Sequence, residues 1–260
     1  MTTSLKDKTI KGMFWSVIER FGSIMLQFIA NILLARILDP VDFGLVGMIM
    51  VFIAISNTIV ESGLGAALVN KKEATEKDFS TIFYMNTALS LIFFILLISF
   101  APYIAEYYRQ PQLTLLLRTL SVILIFNALN NIQYTQLIKN INFKQLAKVN
   151  LAATSIACLV SVIMAYKGFG VWSLVIQLVL IAFIRTILFW MWSKWRPKLI
   201  FSISSLKELF GFGSKLLLSA LLDTIYNNLQ ALVIGRVFSA KDLGFYTQAK
   251  KFEEDRKSVV

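Results

Sequence analysis

The chain has 260 residues, 57% of them hydrophobic and only 16% charged, with a mean hydropathy of +0.69. A soluble domain is about 45–50% apolar and about 25% charged, so this composition excludes an ordinary soluble globule. The net charge of +11 would suit a nucleic-acid partner, but its distribution argues against one: the basic residues sit in short segments between apolar runs and form no contiguous stripe with interleaved aromatics.

The segment "MTTSLKDKTIKG" is too polar for a cleavable signal peptide, and the run after it is too long and lacks a small-residue cleavage site. Seven apolar runs follow, at about 12–38, 43–68, 79–101, 113–137, 148–166, 170–193 and 209–238. None alternates as a barrel strand would, which leaves helices as the spanning elements. The predicted fold is an all-α polytopic membrane protein. Pro40 is expected to stop the first helix and Asp42 to cap the second. Pro102 and Pro111 are expected to bracket the third turn, and "KGFG" (167–170) to make a tight fifth one. "KWRPK" (194–198) ends the sixth run, and "LIFSISSLKELF" reads as a short amphipathic stretch before the seventh. The single cysteine, Cys158, lies inside a span and cannot form an intramolecular disulfide. The absence of histidine removes imidazole metal ligands and histidine proton relays.

Lysine and arginine divide unequally between the two sides. The amino terminus and the even-numbered loops hold 14 (Lys6, Lys8, Lys11, Lys71, Lys72, Lys77, Lys139, Lys144, Lys148, Lys194, Arg196, Lys198, Lys207, Lys215), and the other side holds 5 (Arg36, Arg109, Lys167, Arg236, Lys241). This bias predicts a multi-pass membrane protein whose amino terminus and even-numbered loops are cytoplasmic. That orientation is opposite to the usual seven-helix receptor.

An internal repeat also argues against a receptor. At an offset of 200 residues, "NILLARILDPVDFG" (31–44) lies over "ALVIGRVFSAKDLG" (231–244), aligning Arg36 with Arg236, Asp42 with Asp242 and Gly44 with Gly244. Glu19, Ser23 and Gln27 fall over Ser219, Asp223 and Asn227. A six-helix unit that recurs keeps its orientation, the plan of two parallel lobes in a transporter. The expected division is a six-helix transmembrane lobe at 1–197, the start of a second, repeated lobe at 198–250 (amphipathic linker and seventh helix), and an atypical polar tail at 251–260. "EEDRKSVV" is too charged to span, so the sequence reads as a truncated or frame-disrupted copy, a fragment.

Polar residues inside the spans supply the candidate site. On the first helix Ser16, Arg20, Ser23, Gln27 and Asn31 follow steps of three and four, which place them on one face. The second helix adds Asn57 and Glu61, the fourth Asn127, Asn131 and Tyr134, and the seventh Ser219, Asp223, Tyr226, Asn227 and Gln230. Interhelical hydrogen bonding is the plain reading of the neutral ones. An intramembrane cation is a functional signal by default, and a planar guanidinium suits a phosphate. The candidate substrate-cavity residues are therefore Arg20, Ser23, Gln27, Asn31, Glu61, Asn127, Asn131, Asp223 and Asn227. Arg118 and Arg185 are nearer helix ends and are read as snorkelling to the interface. No catalytic constellation, metal site, cofactor motif or Gly-rich phosphate loop is evident, so no built-in ATPase is expected.

"KGMFWSVIERFGSIMLQFIANILLARILDPVDFGLVGM", "LVNKKEATEKDFSTIFYMN" and "GFGVWSLVIQ" resemble bacterial polysaccharide flippases of the multidrug/oligosaccharidyl-lipid/polysaccharide exporter superfamily, in the branch of colanic-acid exporters and O-antigen repeat-unit translocases. The likeness covers essentially residues 5–252. It implies two six-helix lobes around a central cavity and alternating access. It also implies translocation of undecaprenyl-pyrophosphate-linked oligosaccharides to the periplasmic leaflet for surface polysaccharides such as lipopolysaccharide. Partners would be the lipid-linked oligosaccharide, membrane lipids, and the polysaccharide polymerase and export machinery. The rival readings are a cation-coupled drug or metabolite antiporter of the same fold and a membrane polymerase or ligase. The latter is expected to carry a large periplasmic loop, and every loop here is short.

Overall fold

The computed structural model describes residues 5–257, so residues 1–4 and the last three of the expected polar tail lie outside the described residues. Among the described residues there are nine helices: α1 (Leu5–Ile37), α2 (Pro40–Glu61), α3 (Leu64–Asn70), α4 (Glu76–Tyr107), α5 (Leu113–Lys139), α6 (Phe143–Tyr166), α7 (Val171–Trp192), α8 (Ile203–Val237) and α9 (Ala240–Lys257). Seven of them are long and apolar enough to cross a membrane; α3 is too short and α9 too polar. The molecule is an all-helical, multi-pass membrane protein.

Local signals set most boundaries, and several differ from the sequence expectations. Asp39, not Asp42, caps α2: its carboxylate accepts from Val41 N at 2.9 Å, and Pro40 opens the helix instead of ending α1. Proline at the first helical position loses no hydrogen bond, since that N–H would be an orphan anyway. At the second corner Ser239 and Asp242 close a capping box, with Ser239 N donating to Asp242 Oδ2 and Asp242 N to Ser239 Oγ, each at 3.1 Å. Pro102 lies within α4, which continues to Tyr107. A membrane helix absorbs one missing donor through its neighbours, so this proline does not bracket the turn. The stretch around Ile203–Phe210 is the first part of α8 itself, capped by Ser202, and not a separate linker helix. Residues 251–257 of the expected polar tail continue α9 as helix.

The expected second span breaks at Ser62–Gly63. Ser62 (φ 48°) and Gly63 (φ 65°) both adopt the left-handed conformation that ends helices, and α3 then leaves in a new direction. The carboxyl end of α3 is held by Lys139 of α5, whose ammonium donates to the carbonyls of Leu68 (2.8 Å), Val69 (3.3 Å) and Lys71. A cation there satisfies orphan carbonyls and complements the helix dipole. Lys139→Met is therefore expected to cost about 1–2 kcal/mol, read as a lower Tm in detergent, with the heavier loss in α3 by hydrogen exchange. An unchanged Tm would show those carbonyls to be served by water.

Packing divides into two ends. Where α2 and α9 begin, Leu45, Met48, Ile49, Leu113, Leu117, Val175 and Leu243 form one continuous core with Ala231 and Ala240. At the opposite end α3, α4, α5 and α8 bury Leu64, Leu68, Ile82, Phe83, Ile132 and Leu209 around Trp195. α1 packs mainly on α6 and α9 mainly on α2. Along α1, Met13, Phe14, Val17 and Met25 are exposed, as lipid-facing side chains are. Lys71, in the loop after α3, pairs with Asp78 (3.2 Å) and Glu208 (2.8 Å), tying that loop to the start of α8. The hydrogen bond to Glu208, the largest cause, holds the Lys71 ammonium above its usual pKa.

Candidate functional site

Five helices converge on a polar cavity of about 500 Å³ between the carboxyl half of α2 and the first half of α1. Glu19 comes from α1, Asn57 and Glu61 from α2, Asn127, Asn130, Asn131 and Tyr134 from α5, Asn150 from α6, and Arg185 and Phe189 from α7. Most of these groups hold one another. Asn150 donates to Glu19 at 2.6 Å, across α6 and α1. Asn127 donates to Asn57 at 2.9 Å, and Asn57 donates onward to Glu61 at 2.7 Å. Asn130 donates to Thr186 at 3.0 Å. Such chains orient the side chains before any ligand arrives, and each buried amide that is paired avoids a desolvation cost of about 1–3 kcal/mol.

Two polar atoms in this wall have no partner among the described residues: Arg185 Nε and Asn131 Oδ1. Both are shielded from solvent. A guanidinium that shares its cavity with a carboxylate and a phenol and keeps an unused, shielded donor is suited to a doubly charged oxyanion. A second cavity of about 610 Å³ shares Glu61, Asn131 and Tyr134 with the first and extends to Thr58 of α2 and to Ser219 and Asp223 of α8. Thr58 and Thr224 meet there hydroxyl to hydroxyl at 3.0 Å, linking α2 to α8. Gly65 lets α3 approach α5: a Cβ there would lie 3.3 Å from Asn131 Oδ1 and Thr135 Oγ1.

Of the nine sequence candidates, Glu61, Asn127 and Asn131 meet in the polar cavity, and Asp223 joins them through the adjoining one. The other five lie elsewhere. Arg20 and Gln27 are exposed on α1. The Ser23 hydroxyl is buried with no partner among the described residues. Asn31 Oδ1 accepts from Lys251 at a long 3.5 Å, and Asn227 is exposed, its backbone carbonyl accepting from Lys250. Glu19, Asn130, Asn150 and Arg185 were not among the candidates. Arg185 does not snorkel: it sits in the cavity wall, because Phe183, Ile187 and Met191 take the exposed side of α7. That stripe of large apolar residues at spacing four was the signal in the sequence, and it sets Arg185 on the opposite, inward side. For Asn150 the only signal was a lone amide in an apolar run.

A sequence profile described as "Polysaccharide biosynthesis protein" matches residues 33–255. The chain is 28% identical, over its whole length, to the succinoglycan biosynthesis transport protein ExoT of Rhizobium meliloti (strain 1021), of which it covers 53%. It is 28% identical to the teichuronic acid biosynthesis protein TuaB of Bacillus subtilis (strain 168), over 95% of this chain and 51% of that one. It is 26% identical to the lipopolysaccharide biosynthesis protein WzxC of Escherichia coli (strain K12), over 95% of this chain and 50% of that one. The chain thus spans about half the length of these relatives, and no solved structure matches it. With its profile covering most of the sequence and similarity to three such proteins along nearly all of it, the chain belongs to the polysaccharide biosynthesis protein family.

Proposed function

We propose that this chain is part of a flippase that moves undecaprenyl-pyrophosphate-linked oligosaccharide repeat units from the cytoplasmic to the periplasmic leaflet by alternating access, for surface polysaccharide synthesis. The observation that carries the reading is the cavity wall, where Arg185 keeps a shielded, unpaired donor among oriented amides. Amides and carboxylates suit sugar hydroxyls, and a guanidinium suits a pyrophosphate. Membership of a family of polysaccharide biosynthesis proteins, with one relative named a transport protein, supports the same reading. On this reading the protein sits in the bacterial inner membrane, and the positive-inside bias supports a cytoplasmic amino terminus. The polar cavity then lies in the cytoplasmic half, where the lipid-linked unit is loaded. The reading is of a transporter, not an enzyme. It requires no cofactor, and its partners are membrane lipids, a polysaccharide polymerase and export machinery.

The test is deletion of the gene followed by extraction of lipid-linked oligosaccharides from each leaflet. Repeat units trapped on the cytoplasmic face, with surface polysaccharide lost, are expected. A second reading, a cation-coupled drug or metabolite antiporter of the same fold, is favoured by the two carboxylates Glu19 and Glu61 in the cavity. Normal glycan together with new sensitivity to cationic drugs would overturn the first reading in favour of the second.

A further inference from the structure

The repeated corner makes a contact that the repeat alone does not explain. A Cβ built on Gly44 of α2 would overlap the backbone carbonyl of Ala240, and a Cβ built on Gly244 of α9 would overlap that of Pro40. Pro40 and Ala240 are themselves equivalent at the 200-residue offset, so the two contacts are the same contact made twice. One turn further in, a Cβ on Gly47 would lie 2.7 Å from Cγ2 of its own equivalent, Thr247. Equivalent residues facing each other mark a local two-fold axis through the α2–α9 crossing. The approach depends on missing side chains, as in membrane helix pairs that cross at small residues. Around it Met48, Leu243 and Tyr108 close over Gly235 of α8, and Leu243 is wholly buried.

This seal lies at the amino ends of α2 and α9. The polar cavity begins at Asn57, 13 residues along α2, about 20 Å away at 1.5 Å per residue. One end of the molecule is therefore shut by backbone against backbone, and the other end holds the polar cavity. At the crossing itself the contacts given by Gly44 and Gly244 are to the opposite backbone, and Gly47 faces the methyl of Thr247.

We propose that the Gly44–Gly244 crossing is the gate of the translocation path, a symmetric contact of glycine against backbone that closes this end and parts when the path opens to the other side of the membrane. The assignment rests on the translocation reading above. It predicts that a methyl group at either glycine props the gate open, and that the two substitutions act alike because the contact is symmetric.

The test measures a distance and needs no substrate, so its failure leaves the flippase reading standing, and failure of the leaflet assay leaves the gate standing. In a Cys158→Ser background, spin labels are placed at Leu33→Cys and Val233→Cys, exposed equivalents on α1 and α8, and the full chain is measured in lipid nanodiscs. Two distance populations are expected. Gly44→Ala and Gly244→Ala should each shift their ratio toward the longer by roughly tenfold. Gly211→Ala, where an added Cβ meets nothing within 4 Å, should leave the ratio unchanged. Should the glycine variants fail to fold, a disulfide between Gly47→Cys and Thr247→Cys decides the matter alone, by abolishing the longer population. A single population that neither the disulfide nor the alanines move would overturn the gate and leave the crossing a fixed hub.

Discussion

Replacing Arg185 with alanine is expected to weaken binding of a polyprenyl pyrophosphate by about thirty- to one-hundred-fold, or about 2–3 kcal/mol, the worth of charge-assisted hydrogen bonds to a phosphate. Arg185 is on the inward side of α7, with Nε shielded and unpaired among the described residues, and Glu19 and Tyr134 share its cavity. Removing the guanidinium leaves an anionic headgroup facing Glu19 and Glu61 without a counter-charge, which repels it in addition to losing the bonds. Arg185→Lys retains the charge but not the planar fork, so an intermediate loss is expected. Glu19→Gln carries the discriminating sign. It deletes a negative charge from the wall and should raise affinity for the pyrophosphate by a few-fold, since a Coulomb term at a few ångströms in a partly shielded site is worth about 1 kcal/mol or more. Titration of a fluorescent polyprenyl pyrophosphate into the purified protein in nanodiscs measures all three. Loss of affinity in Glu19→Gln as well as in Arg185→Ala would mean the pair matters only for holding α1 against α6 and α7, and the anion-binding role would fall.

The same two residues show where sequence reasoning succeeds and where it stops. The seven spans and the polar positions on α2 and α5 were legible, because hydropathy over about 20 residues and steps of three and four are strong signals. Glu61, Asn127 and Asn131 were found this way and do meet in one cavity. The face of α1 was harder. Within its polar stripe Arg20 and Gln27 stay exposed, whereas the close-packed side carries glycine: a Cβ on Gly12 would press on Phe143 and one on Gly22 on Leu151, both of α6. Glu19, one turn before Gly22, therefore turns toward α6 and meets Asn150. In a membrane, small residues mark the interface as much as polar ones do, and weighting polarity alone selects the wrong side of the helix. Arg185 was misplaced for a related reason. Distance to the helix end suggested snorkelling, but the lipid-facing stripe on α7 had already fixed which way it points. Boundaries failed where one residue carries the decision. Asp39 took the cap because only it precedes Pro40, and Ser62–Gly63 split a run that stays apolar on both sides.

That split carries the other large effect. Gly63→Val is expected to destabilise the protein by about 3–4 kcal/mol, from two terms of different origin. The first is conformational. Gly63 has φ 65°, where an L-residue costs about 1–2 kcal/mol and a β-branched one is worse. The second is steric. A Cβ at Gly63 would lie 2.5 Å from the Gly213 carbonyl oxygen and 3.1 Å from Leu216 Cβ, so α8 must retreat from the α2–α3 corner at a cost of about 1–3 kcal/mol. Control glycines separate the two terms. Gly168 has φ 81° with nothing within 4 Å of an added Cβ, so Gly168→Ala reports strain alone, about 1–2 kcal/mol. Gly213 is helical, and its Cβ would meet Leu64 Cδ2 at 2.8 Å, the flexible end of a side chain that can shift, so Gly213→Ala should cost little. The expected order of loss in Tm is Gly63→Val, then Gly63→Ala, then Gly168→Ala, then Gly213→Ala. Because α8 docks on this corner through Gly63 and Gly213 and through Thr58–Thr224, Gly63→Val should also loosen α8 selectively, seen as faster hydrogen exchange in residues 213–228 than in α5 or α7. Equal losses at Gly63 and Gly168 would show that strain is the whole effect, and that α8 is held at its opposite end, by Gly235 and the α2–α9 crossing.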